Sequence, residues 1–328
     1  MAYQNVGAPR FYINIPEWLS SHGVMPLTES GNKRVLRTLP VKPTDAADSD
    51  LMTEGMPGMT ENGFIAALGH NFATKSVFYH LYTLSGGANA SVNSMEEVVN
   101  ATIQDDGKTV FAEKDGFSIS TFNTNNREIW IIWVRDDFGG GTVGSMVIGT
   151  YYDMPHSPNL NLTMTREMDG AKRVRTKGGS DLINYKYIKS PPWGSSGAWD
   201  MSYYGSHKYS RVGRRTWSLS FSHLDRGDIF GPNQSLVDGG IWGPQAGPDA
   251  ADLDSSNQFE TNLLDDDNFF SQVIHKTNGG QLPFIFQPNR DNNNPDNFAI
   301  AKLDMKSFKF KQTANGIYDI NLKIKEVW

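Results

Sequence analysis

The chain contains no cysteine in its 328 residues. This absence excludes a disulfide framework, a metal site with thiolate ligands and a cysteine nucleophile. It also indicates that the protein is assembled in a reducing compartment.

Long apolar runs and clusters of basic residues are missing as well. No stretch of about 18 apolar residues occurs, so we expect no membrane-spanning helix, and residues 1–23 lack the apolar core of a signal peptide. The net charge is −6. Nucleic acids and anionic membranes attract clustered Lys and Arg, so we expect neither as a partner.

Catalytic motifs are also absent. No serine lies in a GxSxG motif, and the GGG at residues 139–141 precedes a strand-like run rather than a helix, which is typical of a turn. The histidines are scattered singly, without an HExxH motif or a pair at metal-ligand spacing. They are His22, His70, His80, His156, His207, His223 and His275. The chain is therefore predicted not to be an enzyme and to bind no cofactor or metal.

Two acidic segments have oxygen atoms that could bind calcium, at residues 265–267 (DDD) and 291–297 (DNNNPDN). Neither has the glycine and terminal glutamate of an EF-hand loop. Capping of a helix is the simpler interpretation of the first segment, and a solvated loop is the simpler interpretation of the second.

The chain is rich in the residues of short strands and turns, with Gly 32, Pro 16, Trp 8, Tyr 12 and Phe 18. Helical periodicity is scarce. A mainly β fold is therefore predicted, and the length favours two domains or one domain with a large insertion.

Residues 1–62 are predicted to form an N-terminal strand and an extended arm. FYINIPEW predicts a strand followed by a short helical turn at residues 17–20. The segment PVKPTDAADSDLMTEGMPGMTENG has no core of its own, so we expect it to lie on another surface.

Residues 63–152 contain six strand-like runs at short intervals, which predict a jelly-roll-like β-sandwich. EIWIIWV is apolar on both faces and predicts a central strand, whereas GFSISTF looks half-exposed. Pro155 and Pro158 then force the chain to turn or extend, so we expect a boundary there.

Residues 153–328 are predicted to form a second sandwich. A hairpin is expected around MDG, a half-buried strand with Trp217, Leu219 and Phe221 on one face, and a helix near residues 266–277 that Gly279 helps to end. In the last hairpin, a three-residue turn with Gly316 in the left-handed region would pair Phe310 with Ile320.

Phe308 would then pair with Leu322, and the same strand would extend to Trp328 at a sheet edge. A C-terminal residue that belongs to a strand is more natural in a chain packed against neighbouring subunits than in a freely diffusing enzyme.

Several aromatic and basic residues of the last half of the chain are candidates for contact with a partner. Aromatic rings stack on sugars, and Trp, Tyr and Arg are concentrated in protein interfaces. A loop folded over its own domain is the alternative. The candidates for an interface or a glycan contact are Trp193, Trp199, Tyr203, Tyr204, Arg214, Arg215 and Trp328.

The last third resembles a known family. The segments GRRTWSLSFSHLD, NFFSQVIHKTNGGQLPFIFQPNRDNNNPDNFAIAKL and KSFKFKQTANGIYDINLKIKEVW occur there in that order. Together they resemble tailed-bacteriophage virion proteins, akin to distal tail or baseplate proteins and other tail-tube-like modules. VGSMVIGTYYDMPHSPNL is similar to the junction between a jelly-roll unit and the tail module in related phage proteins.

The resemblance implies a tail-tube-like β-sandwich with one helix and an inserted jelly-roll-like sandwich. It further implies a homo-oligomeric ring, expected to be a hexamer, that contacts neighbouring phage tail proteins in the virion and is assembled in the host cytoplasm. A carbohydrate-binding virion protein that contacts host surface glycans is the alternative, and a polysaccharide-degrading enzyme is a third class.

Overall fold

A computed structural model of the chain shows a mainly β protein, as predicted. It describes residues 7–25, 27, 35–39, 44–45, 49–56, 59, 61–85, 88–92, 94–123, 129–167, 171–185, 214–229 and 267–327. The strands are β1 (Arg10–Asn14), β2 (Thr44–Asp45), β3 (Ser49–Gly55), β4 (Asn62–His70), β5 (Phe78–Ser85), β6 (Ala88–Ser91), β7 (Glu96–Val99), β8 (Ala101–Ile103), β9 (Thr109–Ala112), β10 (Gly116–Asn123), β11 (Ile129–Arg135), β12 (Thr142–Val143), β13 (Ser145–Asp153), β14 (Thr163–Glu167), β15 (Ala171–Arg175), β16 (Asp181–Tyr185), β17 (Arg214–Asp225), β18 (Phe284–Gln287), β19 (Ala299–Leu303), β20 (Phe310–Ala314) and β21 (Ile317–Glu326).

The helices are short. They are α1 (Ile15–Ser21), α2 (Phe72–Lys75), α3 (Arg226–Ile229), a π-helix (Phe270–Ile274) and two 3₁₀ helices (His275–Thr277 and Pro295–Asn297). Among the described helices, none has the length and apolar character needed to cross a lipid bilayer.

One antiparallel sheet of 11 strands runs through the molecule in the order β14-β17-β21-β19-β18-β1-β13-β4-β10-β7, and β20 also pairs with β21. It contains strands from all three predicted segments. β1 lies at its centre, between β18 and β13. The boundary expected near residue 153 thus falls at the end of β13, inside one continuous sheet.

The second sheet packs against part of the first and completes a sandwich. Its order is β3-β11-β5-β9-β8, with β6 paired to β5. The buried cluster between the sheets includes Ile65, Tyr79, Ile132 and Ile148. β11 has β5 on one side and β3 on the other, which confirms that EIWIIWV is a central strand.

A further buried cluster lies on the opposite face of the first sheet, where Tyr12, Phe64 and Ile285 meet. There the rings of Phe117 on β10 and Phe298 beside β19 are 5.7 Å apart, although β18, β1, β13 and β4 separate those strands. Neighbouring strands lie about 4.8 Å apart in a sheet. The sheet must therefore curl strongly around this cluster.

The N-terminal segment differs from the predicted extended arm. β3 is an edge strand of the second sheet, paired with β11, and β2 pairs with β12. Leu36 and Met56 are buried in the cluster between the sheets. The segment has no core of its own, as expected, because it contributes to the core of the sandwich.

Two further strand predictions need correction. GFSISTF forms β10, which is buried on both faces, since Ser118 and Ser120 lie beside the buried phenol of Tyr79 under the second sheet. The described strands β14 and β15, which flank MDG, do not pair with each other as the expected hairpin requires. β14 pairs with β17, and β15 instead pairs with β16.

The last third confirms several predictions. Trp217, Leu219 and Phe221 are buried on one face of β17. A helix occurs near the predicted place, and the side chain of Asn268 caps its first turn, because its Oδ1 accepts from the Ser271 N–H at 2.9 Å. Asp267 is described, and residues 265–266 lie outside the described part.

In the last hairpin Phe310 has its predicted partner, Ile320, and Gly316 has φ 72°. The predicted three-residue turn is wrong, because Ala314 pairs with Ile317 and leaves Asn315 and Gly316 as the turn. A register shift between Gln312 and Ala314 restores the pairing of Phe310. Phe308 lies before β20 and packs, partly buried, against the apolar cluster of this region.

Candidate interaction surfaces

The predicted contact residues fall into two groups. Trp193, Trp199, Tyr203, Tyr204 and Trp328 lie outside the described residues, so the tryptophan-rich loop stays a prediction. Arg214 and Arg215 are described and begin β17. Arg214 is half-buried.

Arg215 is not available to a partner, which corrects the expectation for this residue. It is 5% exposed and its guanidinium donates to both carboxylate oxygens of Glu326, at 3.0 and 3.2 Å. It also donates to the carbonyl oxygens of Asp296 and Phe298, each at 2.6 Å. Its donors are therefore engaged inside the chain, and its role is structural.

The final strand is held in place as far as residue 327. The N–H of Val327 donates to the carbonyl oxygen of Ile300 at 2.8 Å, and the Val327 side chain packs, partly buried, on the cluster around Tyr12.

The outer face of the second sheet carries a row of aromatic side chains. The rings of His80 and Trp133 stack 5.3 Å apart, those of Phe78 and Phe111 lie 5.0 Å apart, and the guanidinium of Arg135 lies 5.2 Å from the Trp133 ring centroid. Burial lowers the pKa of His80, which favours the neutral form of its ring. Because these rings are engaged with one another, their faces offer little free area for a sugar.

The hairpin formed by β15 and β16 is strongly exposed, since every residue from 173 to 183 except Thr176 is exposed. Its two strands pair only with each other among the described strands. Val174 pairs with Leu182 across the hairpin, and Ile183 pairs with Arg173. Val174 is 48% exposed, Leu182 61% and Ile183 45%, so apolar side chains on both faces are in contact with water.

The hairpin is also basic. Residues 171–185 contain Lys172, Arg173, Arg175 and Lys177 but only one acidic residue, Asp181. Asp181 forms an ion pair with Arg173. Arg175 and Lys177 are exposed at the end of the hairpin, next to a turn in which Gly179 has φ 86°.

A groove of about 300 Å³ opens at the edge of the first sheet, between the ends of β4, β7, β10 and β13. We call it the Tyr151 groove. Its lining combines two carboxylates, small polar side chains and two aromatic rings. The lining residues are Glu61, Asn62, Ser94, Glu96, Thr121, Phe122, Asn123 and Tyr151.

Acidic residues dominate the surroundings of this groove. The pKa of Tyr151 is raised, chiefly by burial; the Arg10 guanidinium opposes the shift, and the carboxylates of Asp153, Glu96 and Asp267 add to it. Arg10 lies 4.2 Å from the Tyr151 ring centroid and forms an ion pair at 2.6 Å with Asp153, whose carboxylate also lies 3.6 Å from Arg290. The groove therefore favours a positively charged occupant over a negatively charged one.

The acidic segment at residues 291–297 is held by side-chain amides. Asn297 Nδ2 donates to the carbonyl oxygens of Asn289 and Asn292, at 2.9 and 2.8 Å, and Gln287 Nε2 donates to the carbonyl oxygen of Asn292 at 3.1 Å. Across the described residues, no three His, Asp or Glu side chains are placed to hold a metal ion together. The loop is therefore ordered by its own hydrogen bonds.

Sequence reasoning missed both the hairpin and the Tyr151 groove. The hairpin had a signal, because TKGGSD is a turn between two alternating runs. The groove had none, since its residues come from four strands whose arrangement follows from sheet topology alone.

Comparisons of the chain with protein-family models, with curated proteins and with solved structures gave no match.

Proposed function

We propose that the chain is a structural, non-enzymatic component of a tailed-phage virion: a ring-forming distal tail or baseplate protein that links the tail tube to host-recognition parts. The proposal is supported by the resemblance of the last third to such proteins, by the mainly β fold, and by an exposed surface suited to self-association. Assembly would occur in the host cytoplasm, with neighbouring tail proteins as further partners.

The observation that carries the proposal is the exposure of the β15–β16 hairpin. A two-stranded hairpin alone is marginally stable in water. This one also exposes Val174, Leu182 and Ile183, and clustered apolar exposure marks interaction sites. A hairpin that gains its stability from a neighbouring subunit explains both features.

The test is the assembly state of the purified chain. Light scattering after size exclusion over a series of concentrations, followed by negative-stain electron microscopy, should show closed rings of one size. Mass spectrometry of virions whose genome encodes the chain should detect it. A chain that stays monomeric at the highest concentration and is absent from virions overturns the proposal.

The same preparations address the carbohydrate-binding alternative. Glycan-array binding by a monomeric chain, abolished by Trp193→Ala or Trp199→Ala, would favour that alternative, because aromatic stacking should dominate such a site.

A further inference from the structure

We propose that the β15–β16 hairpin of one copy docks into the Tyr151 groove of a second copy. This inference rests on the proposed self-assembly and adds to it the two surfaces that meet. The hairpin supplies basic and apolar side chains, and the groove supplies carboxylates and the ring of Tyr151.

Charge favours another copy of the chain as the occupant of the groove. The whole chain has a net charge of −6. Residues 171–185 have four basic residues and one acidic residue, hence +3, which leaves −9 for the rest of the chain. The basic hairpin of one copy is therefore repelled by the hairpins of other copies and attracted by the acidic remainder of those chains.

In the acidic remainder of the chain, the Tyr151 groove has side chains that complement those of the hairpin. Glu61 and Glu96 line it, and the described lining residues include no Lys or Arg, so Arg175 and Lys177 would meet opposite charges. The half-buried ring of Tyr151 also lines it. This ring offers an apolar surface to the Val174 and Leu182 pair, which lies next to Arg175 on the hairpin.

Both surfaces are open in the same chain. The hairpin is exposed and the groove is an open cavity, so neither is filled by the other within one copy. Two copies that insert their hairpins into each other's grooves close as a two-fold dimer, whereas copies that each insert a hairpin into the next one form a heterologous contact, which generates a ring or a filament. The inferred contact is therefore compatible with the ring of the proposed function.

Charge reversal on each side tests the contact. The hairpin variant is Arg175→Glu with Lys177→Glu, and the groove variant is Glu61→Lys with Glu96→Lys. All four residues are exposed in the structure. Each variant should fold with an unchanged circular dichroism spectrum, and each should weaken self-association by at least about tenfold, since like charges then face each other.

Matched controls reverse the same number of exposed charges elsewhere. They are Lys306→Glu with Lys311→Glu, and Asp105→Lys with Asp291→Lys. These variants should assemble like the unmodified chain, so a general effect of net charge is separated from a contact effect.

Mixing the two variants is the decisive step. In the mixture, the acidic hairpin of one variant meets the basic groove of the other, and the unmodified hairpin meets the unmodified groove. Alternating assemblies should form, and native mass spectrometry should find both chains in equal numbers. A single chain that carries all four substitutions should also assemble.

The outcomes separate this inference from the proposed function. If the unmodified chain assembles but the hairpin and groove variants assemble as well, the contact is wrong and the proposed function survives. If each variant fails and the mixture does not recover assembly, the two surfaces do not meet and the inference is overturned. If the unmodified chain never assembles, the proposed function fails with it.

Discussion

Arg215, the second residue of β17, and Glu326, the last residue of β21, form a buried ion pair. The Arg215 backbone N–H also donates to Glu326 Oε2 at 2.8 Å, and the guanidinium lies 5.1 Å from the Trp217 ring centroid. Glu326 is 1% exposed. One carboxylate thus fixes the backbone and the side chain of a residue 111 positions away in the sequence.

Removing one member of this pair should be strongly destabilising. Glu326→Ala leaves a buried guanidinium without its counter-charge, and breaking a buried pair in this way costs about 3–5 kcal/mol of the free energy of unfolding. Urea unfolding followed by tryptophan fluorescence measures the loss.

The matched variant replaces both charges. Arg215→Met with Glu326→Leu fills the same space without a lone charge, so it should be more stable than Glu326→Ala, as replaced buried pairs often are. A double variant that is as unstable as the single one would show that the hydrogen bonds to Asp296 and Phe298 matter more than the charge.

The close approach of β13 to β1 depends on Gly149. A Cβ at this position would overlap the carbonyl oxygen of Ile13 and crowd the backbone N of Ile15, and these atoms cannot move without distorting β1 and the start of α1. Gly149→Ala should therefore lower the free energy of unfolding by at least about 1–3 kcal/mol.

Gly178→Ala is the matched control for that substitution. Its Cβ would meet nothing within 4 Å, so the variant should keep the unmodified midpoint in the same urea titration. Equal midpoints for both variants would mean that β13 and β1 separate at little cost.

Local sequence pattern predicted individual strands well. GFIAALGH, EIWIIWV and GSMVIGTYY became β4, β11 and β13, and the alternation in TWSLSFSHL placed Trp217 and its neighbours in the core. In the last hairpin, matching apolar faces was enough to predict the partner of Phe310.

Contacts between distant segments were beyond that reasoning. Ser118 and Ser120 look like a solvent face, yet the second sheet covers them. Nothing local in SDLMTEG indicates that it pairs with β11. The Tyr151 groove likewise exists only because β7, β10, β4 and β13 are neighbours in the sheet.

Asn14 joins β1, α1 and the segment at residues 35–39. Its Oδ1 caps α1 by accepting from the Glu17 N–H at 3.1 Å, and its Nδ2 donates to the Leu36 carbonyl oxygen at 2.9 Å. Asn14→Ala loses the cap, worth about 1 kcal/mol, and leaves a buried carbonyl oxygen unpaired, which costs about 1–3 kcal/mol. Thermal unfolding should show the combined loss of stability from these two effects.

Asn71→Ala is the comparison for this effect. Asn71 makes similar bonds, to the Gly140 carbonyl oxygen and from the Thr142 N–H, but it is only half-buried, so water can replace its amide. Asn71→Ala should therefore lower the thermal stability less than Asn14→Ala does. The reverse order would contradict the importance given to burial.

His70 should make the protein less stable in acid. The side chain is fully buried, stacks on Phe72 at 4.6 Å, and its Nδ1 accepts from the Phe72 N–H at 3.3 Å. Nε2 therefore carries the proton, and the described chain offers it no hydrogen-bond acceptor. Burial lowers the pKa of His70 to about 3, with Asp115 opposing the shift.

The sign of the pH effect follows from that lowered pKa. Between pH 6.5, the ordinary pKa of histidine, and about 3, the unfolded chain binds a proton at this position that the folded chain does not. The His70 contribution is therefore complete above pH 6.5 and is lost as the pH falls, by at most about 1.4 kcal/mol per pH unit. Urea unfolding between about pH 7.5 and 4.5 should show this slope in the unmodified chain and a shallower one in His70→Gln.

The control variant is His22→Asn, at an exposed position, which reports the effect on stability of removing any imidazole. Parallel slopes for the unmodified chain and His70→Gln would mean that His70 takes up a proton without unfolding, and that its pocket opens to water.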